Sequence, residues 1–121
     1  MASIILLVDD DDSARRAAQK VLGHAGYEVV VAKNGAEGFR LLEEGLRPAV
    51  ILLDLLMADG NGWQFRRRQS AHPSFSRIPV VIVSGLDDPP GLGGAAAFVR
   101  KPFEVDDLLS AIRKCTETSA G

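Results

Sequence analysis

Residues 3–12 read Ser3-Ile-Ile-Leu-Leu-Val-Asp-Asp-Asp-Asp12, an unbroken apolar run that ends in four carboxylates. Apolarity without polar alternation fits a strand covered on both faces, as in a parallel sheet sandwiched between helices. The period then changes: Ala14, Ala17, Ala18, Val21, Leu22 and Ala25 recur at helical spacing. Asp12 or Ser13 can cap this helix and Gly26 can end it. Working outward, the same pairing repeats. Residues 28–32 form a second short apolar run, and Asn34-Gly-Ala-Glu37 has the form of a capping box opening a helix through Phe39, Leu41 and Leu42. Gly45 and Pro48 stop that helix. Residues 49–53 are a third strand ending at Asp54, followed by a turn-rich loop over 57–62 and a helix over 63–71. Residues 78–83 make a fourth strand that stops at Ser84. Residues 95–99 make a weaker fifth that runs into Arg100 and Lys101. A last helix over 103–115 shows Leu108, Leu109 and Ile112 on one face, and 116–121 reads as a frayed tail.

Length and composition agree with this pattern. The chain has 121 residues, 46% hydrophobic and 25% charged, which is ordinary for one globular domain. A single domain over 1–121, with its core over about 3–115, is expected, since no repeat or linker divides the chain. A lone cysteine, Cys115, excludes an internal disulfide framework and a cysteine-rich zinc site. With 14 Lys+Arg against 16 Asp+Glu, the net charge of −2 argues against non-specific nucleic-acid binding. The apolar runs fall far short of the roughly 20 residues that span a bilayer. No secretory leader opens the sequence, so a cytoplasmic domain without membrane attachment is the expectation.

Strands alternating with helices imply crossover connections and a mainly parallel sheet. In such sheets the reactive site lies beyond the carboxyl ends of the strands, where strand order reverses. Those ends carry Asp9, Asp10, Asp54, Ser84 and Lys101. Clustered carboxylates repel, and a hard divalent cation relieves them; Mg²⁺ favours oxygen ligands and takes one or two carboxylates from a protein. Asp9, Asp10 and Asp54 are therefore candidate Mg²⁺ ligands. A carboxylate beside such an ion can attack a phosphoryl group and form an acyl phosphate, the role suited to Asp54. Lys101 supplies a compact positive charge for a phosphoryl oxygen, and Ser84 a hydroxyl donor. Against this stands a plainer reading, in which Asp9 to Asp12, and Asp11 and Asp12 above all, are only an acidic loop that favours the following helix N-terminus and Lys101 and Ser84 are a solvated amine and a turn hydroxyl.

Four stretches taken together resemble the receiver domain of bacterial response regulators. They are Leu6-Leu-Val-Asp-Asp10, Ile51-Leu-Leu-Asp-Leu-Leu-Met57, Val81-Ile-Val-Ser84 and Phe98-Val-Arg-Lys-Pro-Phe103. The resemblance implies a flavodoxin-like three-layer fold with a five-stranded parallel sheet in the order 2-1-3-4-5. It implies that Asp54 is the phosphoacceptor, charged from a phosphohistidine of a sensor histidine kinase or a phosphotransfer protein. Asp10, Asp54 and the backbone carbonyl of Leu56 would bind Mg²⁺ directly, with Asp9 acting mainly through a water. Ser84 and Lys101 would hold the phosphoryl group, Lys101-Pro102 would be a cis peptide, and Phe98 would turn inward with Ser84 as the switch. The output would be an altered protein–protein interaction, not classical enzymatic turnover, with slow autodephosphorylation.

The sequence also departs from that family. Ala58 replaces a usual proline, Asn61 a usual aspartate, and Gly85 a usual alanine. Residues 85–94 hold six Gly or Pro in ten where the family places a helix, so the fourth helix is expected to be missing or much reduced. Leu56 and Leu86 are apolar where a hydrolytic water would be oriented, which implies a moderately long-lived acyl phosphate; the plainer alternative is that both merely pack locally. Arg66-Arg-Arg68 reads as a solvated basic face, His24 and His72 as non-ligands, and Trp63 and Phe65 as anchors of the third helix. Competing readings are a degenerate receiver acting as a phosphorylation-independent scaffold, a phosphohydrolase of the aspartyl-phosphate type and a flavin-binding carrier. The last two lack, respectively, a second acid beside Asp54 and a phosphate loop free of carboxylates.

Overall fold

In the computed structural model the described residues are 3–55, 57, 61–85, 95, 97–101 and 103–120. The apolar runs become strands β1 (Ile4–Val8), β2 (Glu28–Ala32), β3 (Val50–Leu53), β4 (Val80–Ser84) and β5 (Ala97–Arg100). They form one parallel sheet in the order β2-β1-β3-β4-β5. The helices among the described residues are α1 (Asp12–His24), α2 (Gly35–Glu43), α3 (Asn61–Ala71) and α4 (Val105–Ala120). This is the expected α/β architecture.

Because strand side chains alternate, the apolar runs serve two cores at once. Leu6, Val8, Ile51, Leu53, Val80 and Ile82 face α2 and α3, where Phe39, Leu42 and Phe65 complete the packing. Ile5, Leu7, Val50, Leu52, Val81 and Val83 face α1 and α4, where Leu22, Leu108 and Ile112 are fully buried. Trp63 packs against the first cluster and Phe65 is buried within it, so both anchor α3 as expected.

Two helix ends are built alike. After α1, Gly26 adopts φ +97° and donates to the Gly23 carbonyl, while the Tyr27 N–H reaches the Leu22 carbonyl. After α2, Gly45 adopts φ +115°, donates to the Leu42 carbonyl, and the Leu46 N–H reaches Leu41. This paired bonding satisfies terminal carbonyls and needs a residue free to take positive φ. It turns the chain back into the next strand.

Several boundaries differ from the sequence reading. The cap of α1 is Asp11 rather than Asp12 or Ser13; its carboxylate accepts from the Ser13 and Ala14 N–H groups. At α2, Asn34 accepts from the Glu37 N–H at 2.7 Å, but the Glu37 carboxylate returns to the Lys33 N–H, one residue before the cap. The last helix starts at Val105 and runs through Ala120, so the expected frayed tail is helical almost to its end. No Gly or Pro interrupts that stretch, and Gly121 is the first residue with poor helix propensity. The basic run over 66–68 is not uniformly solvated. Arg67 and Arg68 are exposed, whereas Arg66 is buried and donates to Gln69. That burial lowers the pKa of the Arg66 guanidinium. The fourth helix, expected to be missing or much reduced over 85–94, concerns a segment that lies outside the described residues except for Gly85.

Candidate functional site at the carboxyl edge of the sheet

The register of the sheet dictates the site. Val8 pairs with Ala32 on one side and Leu53 on the other. The chain leaves both strands in step: the Asp9 N–H donates to the Ala32 carbonyl at 3.1 Å and the Asp54 N–H to the Val8 carbonyl at 3.0 Å. Asp9 and Asp54 thus emerge side by side where strand order reverses, between β1 and β3. On the other flank Ser84 pairs with Arg100. The Lys101 N–H donates to the Ser84 carbonyl at 2.8 Å, fastening the ends of β4 and β5 together.

Carboxylate oxygens of Asp9, Asp10 and Asp54 lie within 4.8 Å of one another. Asp9 and Asp54 are buried and Asp10 is exposed, so two acids form the floor and one the rim. Charge compensation comes from across the sheet. Lys101 Nζ donates to Asp9 Oδ2 at 3.0 Å and to Asp54 Oδ2 at 3.4 Å. Burial on its own lowers the pKa of this ammonium. Hydrogen bonding to Asp9 and the attraction of both carboxylates outweigh burial and hold it above the ordinary lysine value.

The acidic loop divides its labour. Asp9 Oδ1 accepts the Asp11 N–H at 3.0 Å, and the Asp11 carboxylate is spent on capping α1. Asp12 forms an ion pair with Arg15, three residues on. The plainer reading therefore holds for Asp11 and Asp12, and only Asp9 and Asp10 of this run join Asp54. The Arg15 guanidinium also donates to the Asp9 backbone carbonyl at 2.7 Å. Sequence reasoning did not single out Arg15, although its i,i+3 spacing from Asp12 was a visible signal.

Ser84 is fully buried at the end of β4, and Phe98 is half-buried in β5 opposite Ile82. The structure therefore gathers Asp9, Asp10, Asp54, Ser84 and Lys101 on one edge, with Phe98 two residues before Arg100 on the adjoining strand. Leu56 and Pro102 lie outside the described residues, as do Ala58 and Leu86, so the Leu56 carbonyl ligand and the cis peptide do too. Gly62, at the start of α3, sits against the Asp54 backbone: a Cβ there would meet the Asp54 carbonyl oxygen at 2.6 Å and Leu55 Cα at 2.8 Å. A cavity of about 600 Å³ opens from the carboxylates between α1 and α4, walled by Leu7, Ala14, Ala18, Leu52, Val83 and Phe103.

His72 stacks on Phe75 at 3.9 Å between ring centroids, within an aromatic cluster that includes Phe39. Cys115 is buried against the second core, and burial pushes its thiol pKa up. Among the described residues no helix is long and apolar enough to cross a membrane.

The sequence matches the family described as "Response regulator receiver domain" over residues 5–113. The uncharacterized transcriptional regulatory protein YkoG of Bacillus subtilis is 35% identical over 114 residues, covering 90% of this chain and 49% of YkoG. Protein PilH of Pseudomonas aeruginosa is 33% identical over 92 residues, covering 72% of this chain and 75% of PilH. Among solved structures, the signal receiver domain of a signal transduction histidine kinase from Syntrophus aciditrophicus superposes with a TM-score of 0.87 at 29% identity. That match covers 97% of this chain and 92% of the other. Chemotaxis protein CheY4 of Vibrio cholerae gives 0.86 at 25% identity, covering 95% and 99%. This chain spans about half the length of YkoG and of response regulator Rre1 from Synechocystis.

Proposed function

This chain belongs to the response regulator receiver family of two-component signalling, and from that premise we propose that Asp54 is its phosphoacceptor. Response regulators receive a phosphoryl group from sensor kinases. Here the donor is a phosphohistidine of a sensor histidine kinase or a phosphotransfer protein. The observation that carries the reading is the convergence of Asp9, Asp10 and Asp54 within 4.8 Å, with Lys101 bridging two of them. A carboxylate oxygen of Asp54 attacks phosphorus, the P–N bond to the donor imidazole breaks, and the imidazole leaves with the bonding pair.

The donor set suits Mg²⁺: hard oxygens, more than one negative charge, and an exposed rim at Asp10 open to the waters such an ion would keep. Asp10 and Asp54, with the Leu56 carbonyl, would hold the ion directly in this reading, and Asp9 would act mainly through a water. When bound, the ion neutralises charge between the carboxylates and the incoming phosphoryl oxygens. Lys101 exchanges its contact with Asp54 for one phosphoryl oxygen, and Ser84 donates to another. The added charge draws Ser84 and Lys101 inward, and Phe98 moves with Ser84 to change a protein-binding surface. The apolar Leu56 and Leu86 orient no hydrolytic water, so the acyl phosphate is lost slowly and turnover is not the output.

Intact-mass measurement after incubation with acetyl phosphate and Mg²⁺ tests this. One added phosphoryl group is expected for the native sequence and none for Asp54→Asn or for native protein in chelator. A folded native protein that gains no phosphoryl mass would refute phosphoacceptance and leave a phosphorylation-independent scaffold.

A further inference from the structure

We propose that Arg15 is a positioning residue for the cation site, bracing the acidic loop through the Asp9 backbone carbonyl while Lys101 holds the Asp9 carboxylate. The inference rests on the Mg²⁺ reading above. Four polar groups of Asp9 are engaged: its N–H by Ala32, Oδ1 by the Asp11 N–H, Oδ2 by Lys101, and its carbonyl by Arg15. The first three lie within the sheet edge and loop. The fourth, from Arg15, ties the Asp9–Asp10 peptide to the body of α1. The Arg15 side chain is 15% exposed, its guanidinium donates at 2.7 Å, and Asp12 holds it from the other side.

That peptide joins a buried carboxylate to an exposed one. Its orientation decides where the Asp10 side chain departs, since the carbonyl of Asp9 and the N–H of Asp10 share one plane. A ligand set presented by a loop needs such outer support to keep its geometry. Mg²⁺ demands near-ideal octahedral placement, whereas Ca²⁺ accepts looser shells. The brace therefore serves Mg²⁺ in particular.

The sign of the effect separates this role from plain electrostatics. Arg15 is a cation near a cation site, so deleting its charge alone would tighten Mg²⁺ binding. Deleting a brace weakens it. Calorimetric titration of the unphosphorylated chain with Mg²⁺ and separately with Ca²⁺ decides the matter. Arg15→Ala is expected to weaken Mg²⁺ about ten-fold and Ca²⁺ much less, so the preference for Mg²⁺ narrows. Arg15→Lys keeps a donor within reach of the carbonyl and is expected to recover part of the loss. Asp12→Asn keeps the carbonyl bond and is expected to retain most of the affinity. Native protein that binds no Mg²⁺ overturns both the function reading and this inference. Native binding together with an Arg15→Ala protein of equal or greater Mg²⁺ affinity overturns the inference alone. Should Arg15→Ala not fold, an Arg15→Met protein, which keeps the aliphatic stem but has no donor for the Asp9 carbonyl, with unaltered affinity and selectivity overturns it equally.

Discussion

Lys101 is the residue on which the electrostatics of the site turn. It reaches two carboxylates that stand 92 and 47 positions away in the chain. Because folding raises its pKa, the protonated form is favoured in the folded state. The resulting stability is fully present below the unfolded lysine value, about 10.4, and is lost as pH climbs through the raised folded value. In chelator, native protein is expected to lose stability across that alkaline window. Lys101→Met, with no such group, loses less there but starts from a lower melting temperature at neutral pH. Melting curves of both proteins over a pH series check this, and added Mg²⁺ is expected to return most of the neutral-pH loss. Gly62 is the second decisive residue. With backbone atoms of Asp54 and Leu55 inside 3 Å of any added Cβ, Gly62→Ala is expected to cost about 1–3 kcal/mol. It is also expected to slow acyl-phosphate formation by moving Asp54, as read by thermal melting and phosphorylation rate.

At the scale of elements, α3 and the turn after it are joined by one buried amide. Gln69 is fully buried; it donates to the Phe75 carbonyl at 2.6 Å and the Ile78 carbonyl at 3.3 Å, and accepts from Arg66. Gln69→Ala strands these groups away from water, and a loss of about 3 kcal/mol is expected in urea unfolding. Strands and helices were legible in the sequence because each apolar run is short and each helix stripe meets a glycine or proline. The site was legible because its residues terminate strands. What escaped was which of several equivalent adjacent side chains a given partner takes. Four adjacent aspartates are chemically equal as caps until Lys101 and the Asp11 N–H claim Asp9, which leaves Asp11 to cap α1. Three adjacent arginines are equal until Gln69 draws Arg66 inward. Arg15 looked like any helical surface charge, since the backbone carbonyl it grips leaves no mark on the order of side chains.

For the whole molecule, β3 lies at the centre of the sheet, flanked by β1 and β4, with β2 and β5 at the edges. Both cores draw on β1, β3 and β4, so neither helical layer can be removed without exposing an apolar face of the sheet. The order of delivery matters for the acids. A nascent polypeptide emerging from the ribosome presents Asp9 and Asp10 first and Asp54 at mid-length, while the amine that bridges Asp9 and Asp54 arrives only with the final fifth of this sequence. Until then, protons, dissolved cations or water must temper the repulsion, so a half-made copy is a poor receptor for phosphate and an unstable one. In the proposed reading, the phosphoacceptor site is complete only after the domain's last strand has been translated.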